Sequence, residues 1–178
     1  MNYETRPPRR GLMPPLSPDI ATHIARIEYA VFTKAGPALA WKIFSNVELW
    51  PKFSQNYKSI RWQGTPWAPG SRMRIELKQP VEVTIDRVLT LCMPPYRTAW
   101  ISHVRGYTME QWISFEPSAA GGSKIFSWID VTGANLPEQR DEAMSVLRTV
   151  LTTWFDNFSQ ECDRIADSHA DDIRSTAD

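Results

Sequence analysis

Six segments of alternating apolar and polar residues follow one another from Ile60 to Val131, separated by nothing longer than a turn or short loop. They are Ile60–Gln63, Arg72–Lys78, Val81–Met93, Tyr96–Arg105, Tyr107–Glu116 and Ser123–Val131. A period of two is the mark of a strand with one buried face. The breaks contain Pro66 and Gly70, Gln79-Pro80, Pro94-Pro95, Arg105-Gly106 and Gly121-Gly122, all turn signals. Strands joined this tightly form an antiparallel meander. One long segment of helical period comes next, from about Leu136 to Asp167. Ala143, Leu147, Val150, Leu151, Trp154, Phe158, Cys162 and Ile165 form its apolar stripe, and Glu138, Asp141 and Glu142 lie in its first turns, where the helix dipole favours negative charge. That stripe must be buried, and the apolar face of the sheet is the surface available to bury it.

Ahead of the meander, Ile24–Thr33 alternates as a strand. Pro37 suits the first turn of a helix continued by Leu39, Trp41 and Phe44, and a second short helix is expected over Val47–Phe53. The expected architecture is therefore α+β: a curved sheet of seven antiparallel strands wrapped around a long C-terminal helix, with two short helices after strand 1. A curved sheet closed by one helix tends to leave a cavity between them. Residues 1–20 hold Pro7, Pro8, Pro14, Pro15 and Pro18 among Arg6, Arg9 and Arg10 and read as a flexible leader. Residues 21–168 read as a single domain and 169–178 as a polar tail.

Charge and cysteine content narrow the function. The 20 Lys+Arg balance the 20 Asp+Glu, which argues against a dedicated nucleic-acid binder. No apolar run is long enough for a membrane-spanning helix, and a soluble, cytoplasmic protein is the expectation. Cys92 and Cys162 supply neither a disulfide framework nor a structural zinc site. The 8 tryptophans need a large core, a cavity or an interface to hold them.

Four stretches, in order, resemble one known family. A strand leads into Pro37-Ala38-Leu39-Ala40-Trp41 and then Trp50-Pro51-Lys52-Phe53; Pro69-Gly70-Ser71 precedes the alternating Arg72-Met73-Arg74-Ile75. Pro94-Pro95-Tyr96-Arg97-Thr98-Ala99-Trp100 comes next, followed by Gly121-Gly122-Ser123-Lys124 with Val131-Thr132-Gly133 before the long helix. Together they resemble the helix-grip superfamily called SRPBCC or START-like, in its polyketide cyclase/dehydrase-like branch, over residues 24 to 167. The resemblance implies the fold; nothing in the sequence resembles the Rieske or mononuclear-iron ligand sets of the superfamily's oxygenase branch, so no cofactor is expected. Binders, carriers and enzymes share this fold, so it does not select among them.

The turns set a register. Arg105-Gly106 as a two-residue turn pairs Val104 with Tyr107, Ser102 with Met109 and Trp100 with Gln111. Across the next loop Phe115 meets Ile125, Gln111 meets Ile129 and Glu116 meets Lys124. Pro94-Pro95 as a turn pairs Met93 with Tyr96, Leu89 with Trp100 and Arg87 with Ser102. Met73, Ile75, Leu77, Ile85, Arg87, Leu89, Trp100, Ser102, Tyr107, Met109, Gln111, Phe115, Ser127 and Ile129 then share the inner face. Arg72, Arg74, Glu76, Lys78, His103, Glu110, Lys124 and Asp130 share the outer one. A one-residue bulge would exchange the faces beyond it.

Arg87 stands out on that inner face, because a buried guanidinium is costly unless paired or hydrated. Its planar fork suits the acidic end of an amphipathic ligand. Alternatively it snorkels to water at a cavity mouth or faces outward beyond a bulge. Ser102, Tyr107, Gln111, Ser127 and Tyr29 either hydrogen-bond a ligand or satisfy one another and trapped water. Trp100, Met109, Phe115, Trp154 and Phe158 either wall a pocket or simply pack the core. Trp112, Phe126 and Trp128 fall on the outer face, as a cross-strand pair with a neighbour or as a contact for a homodimer.

Catalytic groups are less evident. His23, His103 and His169 fall in the leader, on the outer face and in the tail; His103 could approach Glu110 diagonally. Neither cysteine has a histidine partner, and neither metal-ligand spacing nor a glycine-rich phosphate loop occurs. The first expectation is a binder of a small hydrophobic or amphipathic molecule, entered near Trp50–Phe53 and the sheet turns. Its alternatives are a metal-free cyclase or dehydratase using Arg87, Tyr107 and Gln111, and an interaction module of the quinone- or ribosome-associated kind.

Overall fold

The computed structural model describes residues 24–133 and 136–175. The expected leader and His23 lie outside the described residues. Strand β1 (Ile24–Thr33) leads to helix α1 (Pro37–Ser45), a single 3-10 turn (Val47–Leu49) and helix α2 (Trp50–Phe53). Strands β2 (Tyr57–Gln63), β3 (Arg72–Leu77), β4 (Val83–Met93), β5 (Arg97–Val104), β6 (Tyr107–Pro117) and β7 (Ser123–Thr132) follow, and helix α3 (Leu136–Ser175) closes the chain. The helix runs eight residues past the expected Asp167, with neither proline nor glycine in that stretch to end it. No helix among the described residues is long and apolar enough to cross a membrane.

All seven strands form one antiparallel sheet in the order β1-β7-β6-β5-β4-β3-β2. The β5–β6 turn has φ of 49° at Arg105 and 82° at Gly106, the left-handed pair that matches strand twist in a two-residue hairpin. Hence Val104 faces Tyr107, Ser102 faces Met109 and Trp100 faces Gln111. Phe115–Ile125, Gln111–Ile129 and Glu116–Lys124 also pair as expected.

Two expectations are corrected. Met93 pairs with Arg97 rather than Tyr96, since residues 94–96 make a three-residue turn. A bulge at Thr90 then removes the extra residue, so Leu89–Trp100 and Arg87–Ser102 still pair as expected. The two irregularities cancel, and the inner face survives them. His103 contacts Thr108 (3.1 Å) and not Glu110, which instead accepts from Trp112 Nε1 at 3.0 Å.

Helix α3 is held to β1 along its C-terminal part. Tyr29 Oη donates to Asp156 (2.7 Å), Thr33 Oγ1 and the Lys34 amide both donate to Asp163 (2.6 and 2.7 Å), and Lys34 Nζ pairs with Asp167 (2.8 Å). Tyr29 is thereby spent on the helix rather than on the interior.

Helices α1 and α2 fill one end of the space under the sheet. Phe44 is fully buried, with ring centroids of Trp41, Trp50, Trp67, Trp100, Phe115, Trp154 and Phe158 at 5.1–6.2 Å. Trp50 Nε1 donates to Phe44 O and Trp67 Nε1 to Ser45 O, both at 2.8 Å, so these indoles are anchored at both their apolar and polar ends. This aromatic plug is dense; the other end of the interior is hollow.

Candidate functional site

A chamber of about 390 Å³ lies between the sheet and the N-terminal half of α3. That volume falls within the ~300–1,000 Å³ of small-molecule sites. Leu77, Ile85, Val104, Met109 and Val131 wall it from the strands, and Ala143, Val146, Leu147 and Val150 from the helix. Both sets follow from sequence periods: alternate strand residues point inward, and helix residues three or four apart share a face. Pro80 and Val81 of the β3–β4 turn, Arg105 of the β5–β6 turn, and Gln139 and Glu142 of α3 complete the lining. Pro80, Arg105, Gln139 and Glu142 are exposed and mark the mouth. Tyr107 sits beside them, its hydroxyl donating to Gln139 Oε1 at 2.7 Å.

The entrance therefore differs in part from expectation. Sheet turns do frame it, but Trp50–Phe53 belongs to the opposite, closed end, since α2 tucks Trp50 under the sheet with only 1% of it exposed.

At its deep end the chamber adjoins a recess of about 40 Å³, and the two share Tyr57, Arg87, Trp100, Gln111, Ile129, Leu147 and Val150. Trp154 closes the recess from α3. Arg87 faces inward, and the part of its surface that remains accessible opens onto these cavities. Its guanidinium carbon sits 4.8 Å from the Trp100 ring centroid. Burial lowers the Arg87 pKa and pushes the neighbouring Tyr57 phenol up to about 12, an effect that Arg87's positive charge partly offsets. No salt bridge to Arg87 is present among the described residues. Its Nε and Trp154 Nε1 are both buried without a hydrogen-bond partner.

Gln111 is differently placed. Its Oε1 accepts from Trp100 Nε1 and its Nε2 donates to Ser127 Oγ, both at 3.0 Å, in a buried cross-strand relay over β5, β6 and β7. It fixes the Trp100 ring, which in turn supports Arg87 from below.

Of the ten residues singled out from the sequence, Arg87, Trp100, Ser102, Tyr107, Met109 and Gln111 line the chamber, and Trp154 lines the recess. Phe115, Ser127 and Phe158 border neither cavity: Phe115 and Phe158 pack on Phe44, and Ser127 holds Gln111. Tyr57 and Trp50 were missed. Tyr57, Ile60 and Trp62 all pair with inner residues of β3, but a bulge between Tyr57 and Ser59 breaks the alternation that would have shown it. On the outer face Trp112 and Trp128 stack, centroids 5.5 Å apart, and Arg26 covers Trp128 at 4.6 Å while gripping Asp130 through two 2.6 Å bonds.

Buried acids make stability sensitive to alkali. The Tyr57 phenol and the Cys162 thiol are both pushed up to about 12, chiefly by burial, from ordinary values of 10.0 and 9.0. Above those ordinary values the unfolded chain loses protons that the folded chain keeps, so stability is complete below about pH 9 and falls towards pH 12. Urea unfolding at pH 8, 10 and 11.5 should show this decline, and Tyr57→Phe should remove the phenol's share, about 2–3 kcal/mol over the full range. An identical decline in Tyr57→Phe would contradict the assignment.

A hollow α+β domain with one long helix gripped by a curved sheet defines the class of this protein. No family model and no curated protein matches its sequence. Solved structures do match. Ara h 8.0201 aligns at 16% identity with a TM-score of 0.66, covering 78% of this chain and 97% of its own. The di-domain ARO/CYC BexL from the BE-7585A biosynthetic pathway aligns at 14% and 0.68, covering 80% of this chain, which spans 51% of that protein. Norcoclaurine synthase from Thalictrum flavum, solved with dopamine and hydroxybenzaldehyde, aligns at 12% and 0.62, over 77% of this chain and 85% of that one. The chain has the helix-grip fold, a curved antiparallel sheet closed on one long helix.

Proposed function

We propose that the protein binds one small hydrophobic or amphipathic molecule in the chamber between sheet and helix. The observation that carries this reading is a mainly apolar space of about 390 Å³ that holds Tyr57, Arg87 and Gln111 at its deep end and Arg105, Tyr107, Gln139 and Glu142 at its mouth. Apolar burial supplies most of the affinity, at roughly 25 cal/mol per Å² before association costs, and the deep polar groups set orientation. Titration with the neutral apolar dye N-phenylnaphthylamine tests it. The dye should bind with one site per chain. Ala143→Trp, which places an indole in the chamber from the helix side, should weaken it at least about tenfold while changing stability by under about 1.5 kcal/mol. Unchanged dye affinity in Ala143→Trp would place the dye elsewhere.

A cyclase or dehydratase reading, which puts the chain beside the polyketide cyclase branch, would use the same deep donors to polarise a carbonyl. Among the described lining residues the only carboxylate, Glu142, stands at the mouth, so the interior groups favour holding a guest over moving its protons. A contact between two copies through Trp112, Phe126 and Trp128 is supported by three half-buried aromatics on a solvent face. Arg26 and Lys124 already cover two of those rings, which weakens that reading. Sedimentation velocity over a hundredfold concentration range separates the two states.

A further inference from the structure

The geometry points to a carboxylate subsite at the recess: the guest enters head first, its carboxylate held by Arg87 and Trp154 and its aliphatic body left in the chamber. This rests on the binding function proposed above and names the class of ligand that function serves.

The recess is mainly apolar, and the unpartnered polar groups of its lining residues are donors. Arg87 Nε–H and Trp154 Nε1–H have no partner, although both are buried. Neither side chain contains an acceptor, so neither can satisfy the other. The tryptophans at positions 50, 67, 100 and 112 all donate their indole N–H to an oxygen in the fold, which leaves Trp154 unlike these four. Gln111 is already engaged at both ends, its Oε1 accepting from Trp100 and its Nε2 donating to Ser127. Tyr57 adds a protonated hydroxyl to the same recess.

Unpartnered donors call for a guest rich in lone pairs and poor in protons. A carboxylate brings about four acceptor sites and no hydrogen, whereas water brings two hydrogens for which the recess has little use. Charge argues the same way. The inward guanidinium has Trp100 beneath it but no counter-ion among the described residues, and an entering anion supplies one where the surroundings least screen it. Size then chooses between anions. About 40 Å³ holds roughly three waters or one planar carboxylate, and it is tight for a tetrahedral phosphate ester. The walls beyond the recess are mainly Leu, Ile, Val, Ala and Met, which suit an aliphatic chain or saturated ring system.

Displacement of N-phenylnaphthylamine by decanoate, decanol and decyl phosphate tests the inference on the full chain. Decanoate should bind about 10- to 100-fold more tightly than decanol, as charge-assisted hydrogen bonds imply, with decyl phosphate weaker than decanoate. Arg87→Gln should erase the preference, decanoate losing about 10- to 100-fold more affinity than decanol. Trp154→Phe, which keeps a ring and loses the N–H, should reduce the preference about threefold to tenfold. Equal binding of decanoate and decanol by the wild-type chain overturns the carboxylate subsite and leaves the chamber as a binding site, with water filling the recess. Tighter binding of decyl phosphate overturns the choice of anion. If decanol and the dye also fail to bind, the binding function falls and takes the subsite with it. The wild-type comparison stands even if a variant does not fold.

Discussion

Phe44→Ala is expected to cost about 3–5 kcal/mol, the range for truncating a buried phenylalanine in a core that cannot close around the gap. Phe44 has no exposed surface and touches seven other aromatic rings, drawn from α1, α2, α3, β5, β6 and the β2–β3 loop. Removing it unsupports all of them together, because rings this rigid cannot rotate into the vacated volume without leaving their own partners. A domain of this size is held by only about 5–15 kcal/mol, so roughly a fifth or more of its stability would go. Urea unfolding should show a lower midpoint at unchanged slope. A loss below about 1 kcal/mol would falsify the description of this end of the interior as close-packed.

Gly122→Ala is expected to be about as damaging, through the backbone rather than the core. Gly122 has φ of +72°, a region costing an L-residue about 1–2 kcal/mol. A Cβ there would stand 1.9 Å from the Thr33 carbonyl oxygen and 2.9 Å from Lys34 Cα, both main-chain atoms. They cannot easily retreat. Ser123 Oγ donates to Ala35 O (2.6 Å), and Thr33 Oγ1 and the Lys34 amide are tied to Asp163. The variant must part the β6–β7 hairpin from the end of β1, and a loss above about 3 kcal/mol, roughly 6–12 °C in Tm, is expected. Gly121→Ala is the internal control. Its φ of +90° carries the same conformational penalty, but its Cβ would meet nothing within 4 Å. Equal losses in the two variants would show that backbone conformation alone, and not the close approach, sets the cost.

Much of this arrangement can be read from the residues. The Arg105-Gly106 dipeptide fixes one hairpin so firmly that Trp100, Ser102 and Gln111 fall on the inner face by counting alone, whereas Arg87 reaches it through a turn and a bulge whose shifts cancel. What counting does not reach is depth. Phe115 and Gln111 lie on the same face of the same strand, four residues apart, yet one packs in the plug and the other borders the chamber. The difference is made by α1 and α2, which fill the space over Phe115 and stop short of Gln111, and no period along β6 encodes where another element ends. The same holds for Phe158 against Leu147 on α3. Tyr57 escaped for a local reason, the bulge beside it. The three-residue turn after Met93 and the bulge at Thr90 were equally invisible, and they did no harm because each shifts the register by one residue in opposite senses.

The unequal filling of the interior has an evolutionary corollary. Where a single uniform core both supports a fold and shapes its binding site, any change of guest risks collapse. Here the rings around Phe44 carry the structural burden, while Val83, Met109, Ala143 and Val146 are only half-buried and border the chamber. On the binding function proposed above, a lineage built on this plan would change its guest by varying one end of the molecule, with its scaffold insured by the other.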